Sequence, residues 1–457
     1  MRLRTIGILA LVVMLGAGAC SEPVSPPSFL VVSLDTTRAD HLGLYGHDQD
    51  TTPNLDALAS RGIVFDQLIS VSENTLISHA SLFTGLVPAS HGAAYVGEGR
   101  ALAPAAVTFA DDFLRAGYQT AAFVAHGDWL TTAFGMDRGF ETFSSAYRGA
   151  DAVLDEAAAW LEARDRSRPY LLFIHLFDVH SDAGSRPYEA PEEFTGRFTS
   201  DYEGPLKDWE TAPLRGSAFL QAAAEGEVSL DALDLEYLRD MYDEGLAATD
   251  AKLGDFFDGP AKEAMDEAFV LVTADHGEEI GEHGRMLHSA FYDEVVRIPG
   301  ILVPPSNRAD ALGPPRVVKE QIRLIDIRPT LLSLAGLPRP ARCQGVALVD
   351  WLDGTRTSCP AGPATIYHQA LRQGGFKLIR KKGGVELYDL TNDPEEQVDL
   401  ASVPEHKARV QQMIATLNAL RDRDTKLGEE LQAMGASPAP GHDAVSTEAL
   451  KAIGYAR

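Results

Sequence analysis

Two short segments of the chain combine carboxylates and an imidazole in a pattern that suits a divalent metal ion. Asp275 and His276 stand side by side directly after the apolar run 269–272, and Asp35 follows a second apolar run, 29–34. Carboxylate oxygens and imidazole nitrogens are ligands that zinc and manganese accept in enzymes. These residues predict metal-assisted chemistry, provided that the fold brings them together.

The elements around these residues predict that they meet. Apolar runs of this kind are typical of buried strands in a parallel sheet, which is covered on both faces. In open α/β sheets, ligands lie outside the carboxyl ends of the strands. Strands are expected at 29–34, 120–124, 170–177 and 269–273. The polar side chains that follow them are Asp35, His126, His180 and the pair Asp275 and His276.

The segment 75–85 adds a hydroxyl group. Leu76, Ala80 and Phe83 follow helical spacing after the polar loop 72–74, so Thr75 is expected at the N-terminus of a helix. Such an end offers unpaired N–H groups and a partial positive charge to a tetrahedral anion. Taken alone, the segment favours a simpler alternative, in which Thr75 only caps the helix.

Alternating strand and helix patterns predict a doubly wound, mainly parallel α/β sheet that is flanked by helices. Helices are expected at 54–61, 105–116, 151–164, 230–257 and 323–334. Short strands at 365–368, 376–380 and 385–390 predict a small antiparallel sheet near the C-terminus.

These patterns also predict the domain organisation. A catalytic α/β domain is expected over 29–340, a small-sheet and helix subdomain over 341–435, and a poorly packed tail over 436–457. Within the first domain, the polar segment 181–227 has the composition of an insertion that shapes substrate access.

The charge of the chain narrows the class of partner. The formal net charge is −26 over 457 residues, which repels nucleic acid and other polyanions. A small anionic substrate stays compatible with this surface, because a bound cation dominates the field in its own pocket.

The first twenty residues have the features of an export signal. A basic start precedes an apolar stretch, 6–15, that is too short to span a bilayer as a helix. Small residues at 17–19 then precede Cys20, which resembles a bacterial lipoprotein signal with Cys20 as the lipidated residue. A plain secretory signal is the alternative. We expect a tether over 21–28 and a lipid-anchored protein in the periplasm or at the cell surface, with the choice of membrane open.

Cys343 and Cys359 are the other two cysteines of the chain. In an oxidising compartment, a pair this close in sequence predicts a disulfide. Closing a loop of about 15 residues would contribute roughly 3 kcal/mol in the chain-entropy model. Two free buried thiols are the alternative.

Several motifs together resemble the sulfatase branch of the alkaline-phosphatase superfamily. They are DTTRADHLGLYG (35–46), TPNLD (52–56), SHASLFTG (78–85), DHGEE (275–279) and GEHG (281–284), with later landmarks at 326–330, 386–390 and 393–394. The resemblance covers roughly residues 29–400. It implies a large α/β domain with a smaller C-terminal sheet domain, a bound metal ion and the hydrolysis of a sulfate or phosphate ester.

One departure from the family pattern concerns the nucleophile. Ordinary sulfatases carry a cysteine or serine that is oxidised to formylglycine, and this chain has Thr75 in that slot. Ile77 and His79 replace the proline and the arginine of the same motif. Because threonine is not a known source of formylglycine, Thr75 resembles instead the threonine nucleophile of phosphoethanolamine transferases and phosphodiesterases in the superfamily.

The second departure concerns the metal. Thr36 replaces the second aspartate of the first strand, and His276 stands where sulfatases have asparagine or glutamine. Calcium prefers many oxygen ligands. Asp35, Asp275, His276 and the oxygen of Thr75 suit one zinc or manganese ion better, with calcium and magnesium as alternatives.

The resemblance also implies roles for single residues. Thr75, activated by the cation, is expected to attack phosphorus or sulfur and to form a covalent ester. His288 occupies the slot of a substrate-gripping lysine, and His180 resembles the leaving-group histidine and is the candidate general acid. His79 and His126 are candidates for contact with the substrate anion, with a structural role as an equal alternative.

The leading hypothesis is therefore a metal-dependent hydrolase of a small sulfate, phosphate or phosphonate ester. Transfer of a phosphoethanolamine-type group is one alternative, and a sulfatase-like binding protein that has lost catalysis is another. The retained metal-binding and histidine residues oppose the second alternative. The sequence leaves the substrate, the identity of the metal and the oligomeric state open.

Overall fold

The computed structural model describes residues 26–435, except for 95–98, 183–184, 208–213, 360–361, 363 and 368. The expected export signal with Cys20, most of the tether and the tail over 436–457 lie outside the described residues. None of the helices in the described part is long and apolar enough to cross a membrane.

Strands and helices alternate along most of the chain. The strands are β1 (Ser28–Leu34), β2 (Ile63–Ile69), β3 (Gln119–Val124), β4 (Thr142–Ser145), β5 (Tyr170–Leu176), β6 (Ala268–Ala274), β7 (Glu279–Ile280), β8 (Met286–Leu287), β9 (Arg297–Ile298), β10 (Gly300–Val303), β11 (Arg316–Arg323), β12 (Ala364–Ile366), β13 (Ala370–Gln373), β14 (Phe376–Lys381) and β15 (Gly384–Asp389). The α-helices are α1 (Pro53–Ala59), α2 (Thr75–Thr84), α3 (Pro88–His91), α4 (Phe109–Arg115), α5 (Ala150–Ala163), α6 (Gly216–Ala224), α7 (Ala232–Asp258), α8 (Lys262–Met265), α9 (Asp293–Val296), α10 (Ile327–Leu334), α11 (Val349–Leu352) and α12 (Lys407–Ala433).

Nine strands of the described chain form the large sheet, in the order β11, β2, β10, β6, β1, β5, β3 and β4, with β9 paired to β2. The central strand β1 is parallel to both of its neighbours, β5 and β6. The pairs that involve β10 and β9 are antiparallel. The predicted mainly parallel α/β sheet is therefore confirmed.

Helices cover both faces of this sheet because its central strands are apolar on both sides. Leu30 and Val32 of β1 belong to the core that includes α5 and α7. Phe29 and Val31, which point the other way, belong to the core that includes α2, α4 and α10. Successive side chains of a strand point to opposite faces, so one continuous apolar run serves two layers of helix.

The predicted small sheet is also confirmed, with one strand more than expected. Strands β12 to β15 form an antiparallel sheet in sequential order, and the unpredicted strand is β13. One face of the sheet packs against the apolar side of α12, where Leu378 and Leu387 meet Met413 and Leu417. Farther along, α12 contacts α3 closely, because Ser90 donates a 2.8 Å hydrogen bond to the backbone oxygen of Asp424.

The helix expected at 323–334 is shorter than predicted. Arg316–Arg323 is the edge strand β11, and the α-helix begins only at Ile327. The carboxylate of Asp326 accepts hydrogen bonds from the backbone and the side chain of Arg323, both at 3.0 Å. This contact ends the strand and starts a short 3₁₀ turn that leads into the helix.

The predicted disulfide between Cys343 and Cys359 is wrong in this structure. Cys343 is a free thiol, and its Sγ donates to the backbone oxygen of Gly85 at 3.6 Å. Cys359 Sγ lies 4.0 Å from the backbone oxygen of Gln321, on β11. The two side chains face different backbone carbonyls, which explains why proximity in sequence did not produce a bond.

Candidate active site

Two adjacent parallel strands deliver the two carboxylates of the site. Leu34 of β1 pairs with Ala274 of β6, so Asp35 and Asp275 emerge next to each other at the carboxyl edge of the sheet. The backbone N–H of Thr36 donates to Asp275 Oδ1 at 3.3 Å, and that of His276 donates to the same oxygen at 2.9 Å. The sequence prediction that these residues meet agrees with this geometry.

Thr75 is the first residue of α2, and Asn74 caps the helix. The side chain of Asn74 accepts a hydrogen bond from the backbone N–H of Ile77, so the alternative of a purely capping Thr75 is wrong. The Thr75 hydroxyl lies 3.4 Å from Asp35 Oδ2 and 3.5 Å from His276 Nε2. The hydroxyl therefore faces the carboxylate and imidazole groups that the sequence picked out as metal ligands.

Asp35, Asp275 and His276 fit a divalent cation. One ligand atom from each lies within 4.8 Å of the others, and all three residues are buried. Asp35 Oδ1 and Asp275 Oδ2 are buried and lack a hydrogen-bond partner within the described structure. Because a buried carboxylate oxygen without a partner is costly, this pair of oxygens is suited to hold a positive ion.

The protonation of the two acids leads to the same conclusion. Burial raises the pKa of Asp35 from 3.8 to about 8, against the opposing hydrogen bond from Thr75. Burial, followed by the nearby charge of Asp35, raises the pKa of Asp275 from 3.8 to about 6. Two acids that share a buried space resist ionisation, and a cation between them removes this resistance.

His276 is oriented for coordination by its own backbone neighbourhood. Its Nδ1 lies 3.0 Å from the carbonyl oxygen of Gly277 and donates to it, which leaves the lone pair of Nε2 on the side of Thr75. Nε2 is also 3.4 Å from Asp275 Oδ2. Burial lowers the pKa of His276 to about 4, so the ring is neutral, as a metal ligand must be.

His175 is a part of the site that the sequence reading missed. It lies within β5, and its Nε2 donates to Asp35 Oδ2 at 3.0 Å. Burial lowers the pKa of His175 to about 4, so it orients Asp35 as a neutral donor. The sequence did contain a signal for His175, because it is a histidine inside an otherwise apolar strand. A buried polar side chain at such a position needs a hydrogen-bond partner.

His79 supports the site from beneath. Its Nδ1 donates to the backbone oxygen of Thr75 at 2.8 Å, and Ser33 donates to its Nε2 at 2.9 Å. The side chain is fully buried. Both ring nitrogens are thus engaged inside the protein, which favours the structural alternative for His79 over contact with a substrate. Ser33, a polar residue inside β1, was also missed by the sequence reading.

His288 and His180 extend the site from His276 in a row of imidazole rings. The ring centroids of His276 and His288 are 4.5 Å apart, and those of His288 and His180 are 5.6 Å apart. His288 Nδ1 donates to the backbone oxygen of Glu73 at 2.9 Å. The backbone N–H of Asp182 donates to His180 Nδ1 at 3.1 Å, so a neutral His180 carries its proton on Nε2.

These two rings are neutral in the absence of a substrate. Burial, followed by the neighbouring His276, lowers the pKa of His288 to about 4. Burial, followed by His288 and His126, lowers the pKa of His180 well below its usual range. An anion bound beside them would raise both values, because negative charge favours the protonated ring.

His126 lies beside His180 at the edge of this row. Both rings contact Phe177, with centroid distances of 4.3 Å for His126 and 4.2 Å for His180. The backbone N–H of Asp128 donates to His126 Nδ1 at 3.3 Å. Of the residues predicted for the site, the structure therefore brings together Asp35, Thr75, Asp275, His276, His288, His180 and His126, with His79 below them.

A cavity of about 530 Å³ has Phe177 in its wall. The lining also includes Arg186 and Glu189 from the polar insertion, as well as Tyr147 and Arg148. The insertion is mostly irregular in the described residues, with α6 as its α-helix. Its position against Phe177, which also contacts His180, fits the expectation that the insertion shapes access to the site.

Comparison with known proteins adds a family match to this geometry. The family model described as Sulfatase matches residues 27–337, and the model described as N-sulphoglucosamine sulphohydrolase, C-terminal, matches residues 281–423. An arylsulfatase of Clostridium perfringens is 23% identical over 84% of this chain and 92% of its own length. An N-acetylglucosamine-6-O-sulfatase of Bacteroides thetaiotaomicron is 23% identical over 88% of each chain.

Solved structures share the fold. The phosphonate monoester hydrolase of Agrobacterium radiobacter superposes with a TM-score of 0.70 at 20% identity, covering 87% of this chain and 96% of its own. An enzyme solved in complex with its substrate D-glucosamine-2-N,6-O-disulfate superposes with a TM-score of 0.66 at 21% identity, covering 88% and 99%. At this level of identity, the likeness concerns the architecture of the two sheets.

Proposed function

Because the chain belongs to the sulfatase family of ester hydrolases, we propose that it cleaves sulfate, phosphonate or phosphate esters with Thr75 as the covalent nucleophile in place of formylglycine. The observation that carries this proposal is the position of the Thr75 hydroxyl, 3.4 Å from Asp35 and 3.5 Å from His276. Members of the family use a metal ion, and Asp35, Asp275, His276 and the Thr75 oxygen would hold it here. Zinc or manganese suits these donors better than calcium or magnesium.

A bound divalent ion in this position supplies a positive charge that lowers the pKa of a neighbouring hydroxyl and offsets negative charge on the substrate. The protein supplies the remaining groups. Asp35 Oδ2, held by His175, is the acceptor nearest to the Thr75 hydroxyl proton. The N-terminus of α2 presents unpaired N–H groups to the substrate anion.

The proposed reaction has two steps. Thr75 Oγ passes its proton to Asp35 Oδ2 and forms a bond to sulfur or phosphorus while the bond to the leaving alcohol breaks. The alcohol oxygen takes a proton from His180, which would be in its protonated form once the anion is bound and returns to its neutral form. Water then cleaves the threonine ester, giving one proton back to His180, while Thr75 Oγ recovers its proton from Asp35. The product is sulfate, a phosphonate or, from a phosphodiester, a phosphate monoester. His288 stands in the place of the family's lysine. Its Nδ1 proton is donated to the backbone oxygen of Glu73, so His288 would bind the anion through Nε2 once that nitrogen is protonated.

The charge of the site favours a substrate whose reacting group carries a single negative charge. Two carboxylates cancel one divalent ion, and burial opposes a positive charge on His276 and His288, so little further positive charge is available to offset a doubly charged group. Sulfate monoesters, phosphonate monoesters and phosphodiesters carry one negative charge at neutral pH, and phosphate monoesters carry nearly two. The phosphonate ester and sulfate ester chemistry named for the two similar structures is consistent with this preference.

A panel of 4-nitrophenyl esters tests the proposal. The EDTA-treated protein is assayed with the sulfate, phosphonate monoester, phosphodiester and phosphate monoester after addition of zinc, manganese, calcium or magnesium. We expect turnover of at least one singly charged ester with zinc or manganese, and weaker turnover of the phosphate monoester. No turnover with any metal would favour the catalytically inactive alternative, and a product formed only with an added alcohol acceptor would favour group transfer.

We further propose, from the sequence alone, that the enzyme is exported and anchored through a lipid on Cys20. A small anionic ester outside the cytoplasm is then its expected partner. Metabolic labelling with a radioactive fatty acid tests this proposal. We expect incorporation that the Cys20→Ala substitution abolishes, and an unlabelled but exported protein would support the plain secretory signal.

A further inference from the structure

A second group of metal-binding side chains lies between the loop that follows β1 and the long helix α7. His41 Nδ1 is 2.6 Å from Asp243 Oδ1, and His47 Nε2 is 3.0 Å from Asp243 Oδ2. The two imidazole rings stack with centroids 4.9 Å apart. We propose that His41, His47 and Asp243 bind a second divalent transition-metal ion, of which zinc is the best-suited example, separate from the ion expected at Thr75.

The types of donor atom support this proposal. Two imidazole nitrogens and one carboxylate are a combination that zinc accepts. The three donor atoms lie within 4.8 Å of one another. Zinc binds such atoms at about 2.0–2.2 Å, so an ion at their centre would need only a small separation of the side chains. It would take the place of the two N–H protons that the imidazoles now share with Asp243.

The surroundings of the group favour a cation. The acidic residues Asp40 and Asp48 contribute to the raised pKa of His47, after the larger effect of its hydrogen bond to Asp243. Asp240 lies one turn before Asp243 on the same helix and accepts a 2.8 Å hydrogen bond from Gln49. Asp40 is paired with Arg38 at 2.7 Å, so Asp243, Asp48 and Asp240 are the acidic groups whose charge would stabilise an added positive ion here.

The group is accessible enough for an ion to enter. The side chain of His47 is 19% exposed, whereas those of His41 and Asp243 are 7% and 3% exposed. A zinc ion would thus have two buried ligands and one ligand at the surface. Gln49 Oε1 is buried without a hydrogen-bond partner within the described structure, which places one more oxygen donor beside Asp240.

The position of the group points to a structural role. The neighbouring Tyr242 accepts a 2.8 Å hydrogen bond from the backbone N–H of Arg38 and donates a 2.8 Å hydrogen bond to the backbone oxygen of Thr36. Helix α7 thus already holds the loop directly after Asp35. An ion on Asp243, His41 and His47 would fix the same loop six residues farther along, outside the reacting groups.

Metal content of the full-length protein tests this proposal independently of the catalytic ion. Four proteins are loaded with zinc, dialysed and measured by inductively coupled plasma mass spectrometry: the wild type, Asp275→Asn, His47→Gln and the double variant. We expect each single variant to keep one zinc fewer than the wild type, and the double variant to keep none. His406→Gln, which changes a histidine in the small domain, is the control and should match the wild type.

Cobalt substitution gives a second readout. Cobalt bound to two imidazoles and a carboxylate in a tetrahedral site produces visible absorption bands, and we expect these bands in Asp275→Asn but not in the double variant. Circular dichroism of each variant shows whether it is folded. The proposal is wrong if folded Asp275→Asn binds no zinc, or if His47→Gln leaves the zinc content of the Asp275→Asn protein unchanged. If Asp275→Asn holds one zinc fewer than the wild type and the remaining zinc depends on His47, the lost ion is that of the catalytic site. That result would support the second site.

Discussion

The hydroxyl of Thr75 and the carboxylate of Asp35 lie 3.4 Å apart, although 40 residues separate them in the sequence. One stands at the start of a helix and the other at the end of the central strand. Packing of α2 against the sheet therefore fixes their separation. Groups held in this way can be altered singly, and the following outcomes are expected.

Replacement of Thr75 by alanine should lower kcat by at least about 10³-fold while the fold and metal content are preserved, because the covalent step loses its attacking oxygen. Steady-state rates with the best 4-nitrophenyl ester give the measurement. Ser78→Ala is the matched control, since Ser78 Oγ donates to the backbone oxygen of Ser72 at 3.0 Å and is fully buried. More than a trace of activity in Thr75→Ala would show that another residue is the nucleophile.

Position 75 should also keep an unoxidised threonine side chain. Peptide mass spectrometry of the purified enzyme is expected to show the residue mass of threonine, or threonine esterified by a slow substrate after rapid acid quenching. A different modification at this position would contradict the proposed chemistry.

The stabilisation conferred by the metal should increase with pH. Without metal, Asp35 and Asp275 have pKa values of about 8 and about 6, above the 3.8 of the unfolded chain. The folded protein then holds more protons than the unfolded one between pH 3.8 and about 8, so their contribution to stability is lost as the pH rises. A cation reverses this trend, because it binds the ionised carboxylates.

Thermal melts with EDTA or with zinc measure this effect at several pH values. The difference in Tm between the two conditions is expected to grow from about pH 5 to about pH 8. Asp35→Asn should reduce the difference and flatten its pH dependence. A difference that stays constant with pH in the wild type would show that protons do not compete with the metal at this site.

Replacement of His180 by glutamine should lower kcat/KM for esters with poor leaving groups more than for esters with good leaving groups. Loss of a general acid typically costs about 10²–10⁴-fold, and an alkyl alcohol needs the proton more than 4-nitrophenol does. The slope of log kcat/KM against the leaving-group pKa gives the measurement. His126→Gln, which alters the other ring on Phe177, should leave the slope unchanged. Equal slopes for the wild type and His180→Gln would show that His180 does not protonate the leaving group.

Tyr242→Phe should destabilise the protein by about 2–4 kcal/mol, because it leaves the buried N–H of Arg38 and the carbonyl of Thr36 without their partner. The loop after Asp35 depends on this contact, since Thr36 has a positive φ of 50°. Urea denaturation monitored by circular dichroism gives the measurement. Tyr237→Phe is the comparison, because its ring keeps the stacking contact with Tyr202. A change of less than about 0.5 kcal/mol would mean that water replaces the lost hydroxyl.

The central strands and the residues at their ends could be predicted because burial on both faces imposes a simple pattern. The runs that precede Asp35 and Asp275 are apolar throughout, and the acids come where the pattern ends. Strands β2, β4, β9, β10 and β11 of the large sheet escaped prediction. All but β4 lie in the half of the sheet that contains antiparallel pairs, and β11, at the sheet edge, has five polar residues among its eight.

The residues that support the site were harder to recognise. His175 and Ser33 lie inside apolar strands, where a sequence pattern identifies a strand but gives no partner for a polar side chain. Their partners, Asp35 and His79, come from other elements, so the contacts exist only after the strands and α2 have packed. The resemblance to the sulfatase family did not reveal His175 and Ser33 either, because the motifs on which it rests lie after the strands and not within them.

The contact between α12 and α3 has a consequence for how the enzyme is made. Helix α3 follows directly after the helix that carries Thr75, whereas α12 is the final described helix of the chain, with 27 residues. All strands of the large sheet are synthesised before α12, and the contact between α12 and α3 can form only afterwards. Helix α12 thus completes the packing around α3 late in synthesis, and chains that stop before α12 should be more sensitive to proteases than the full chain.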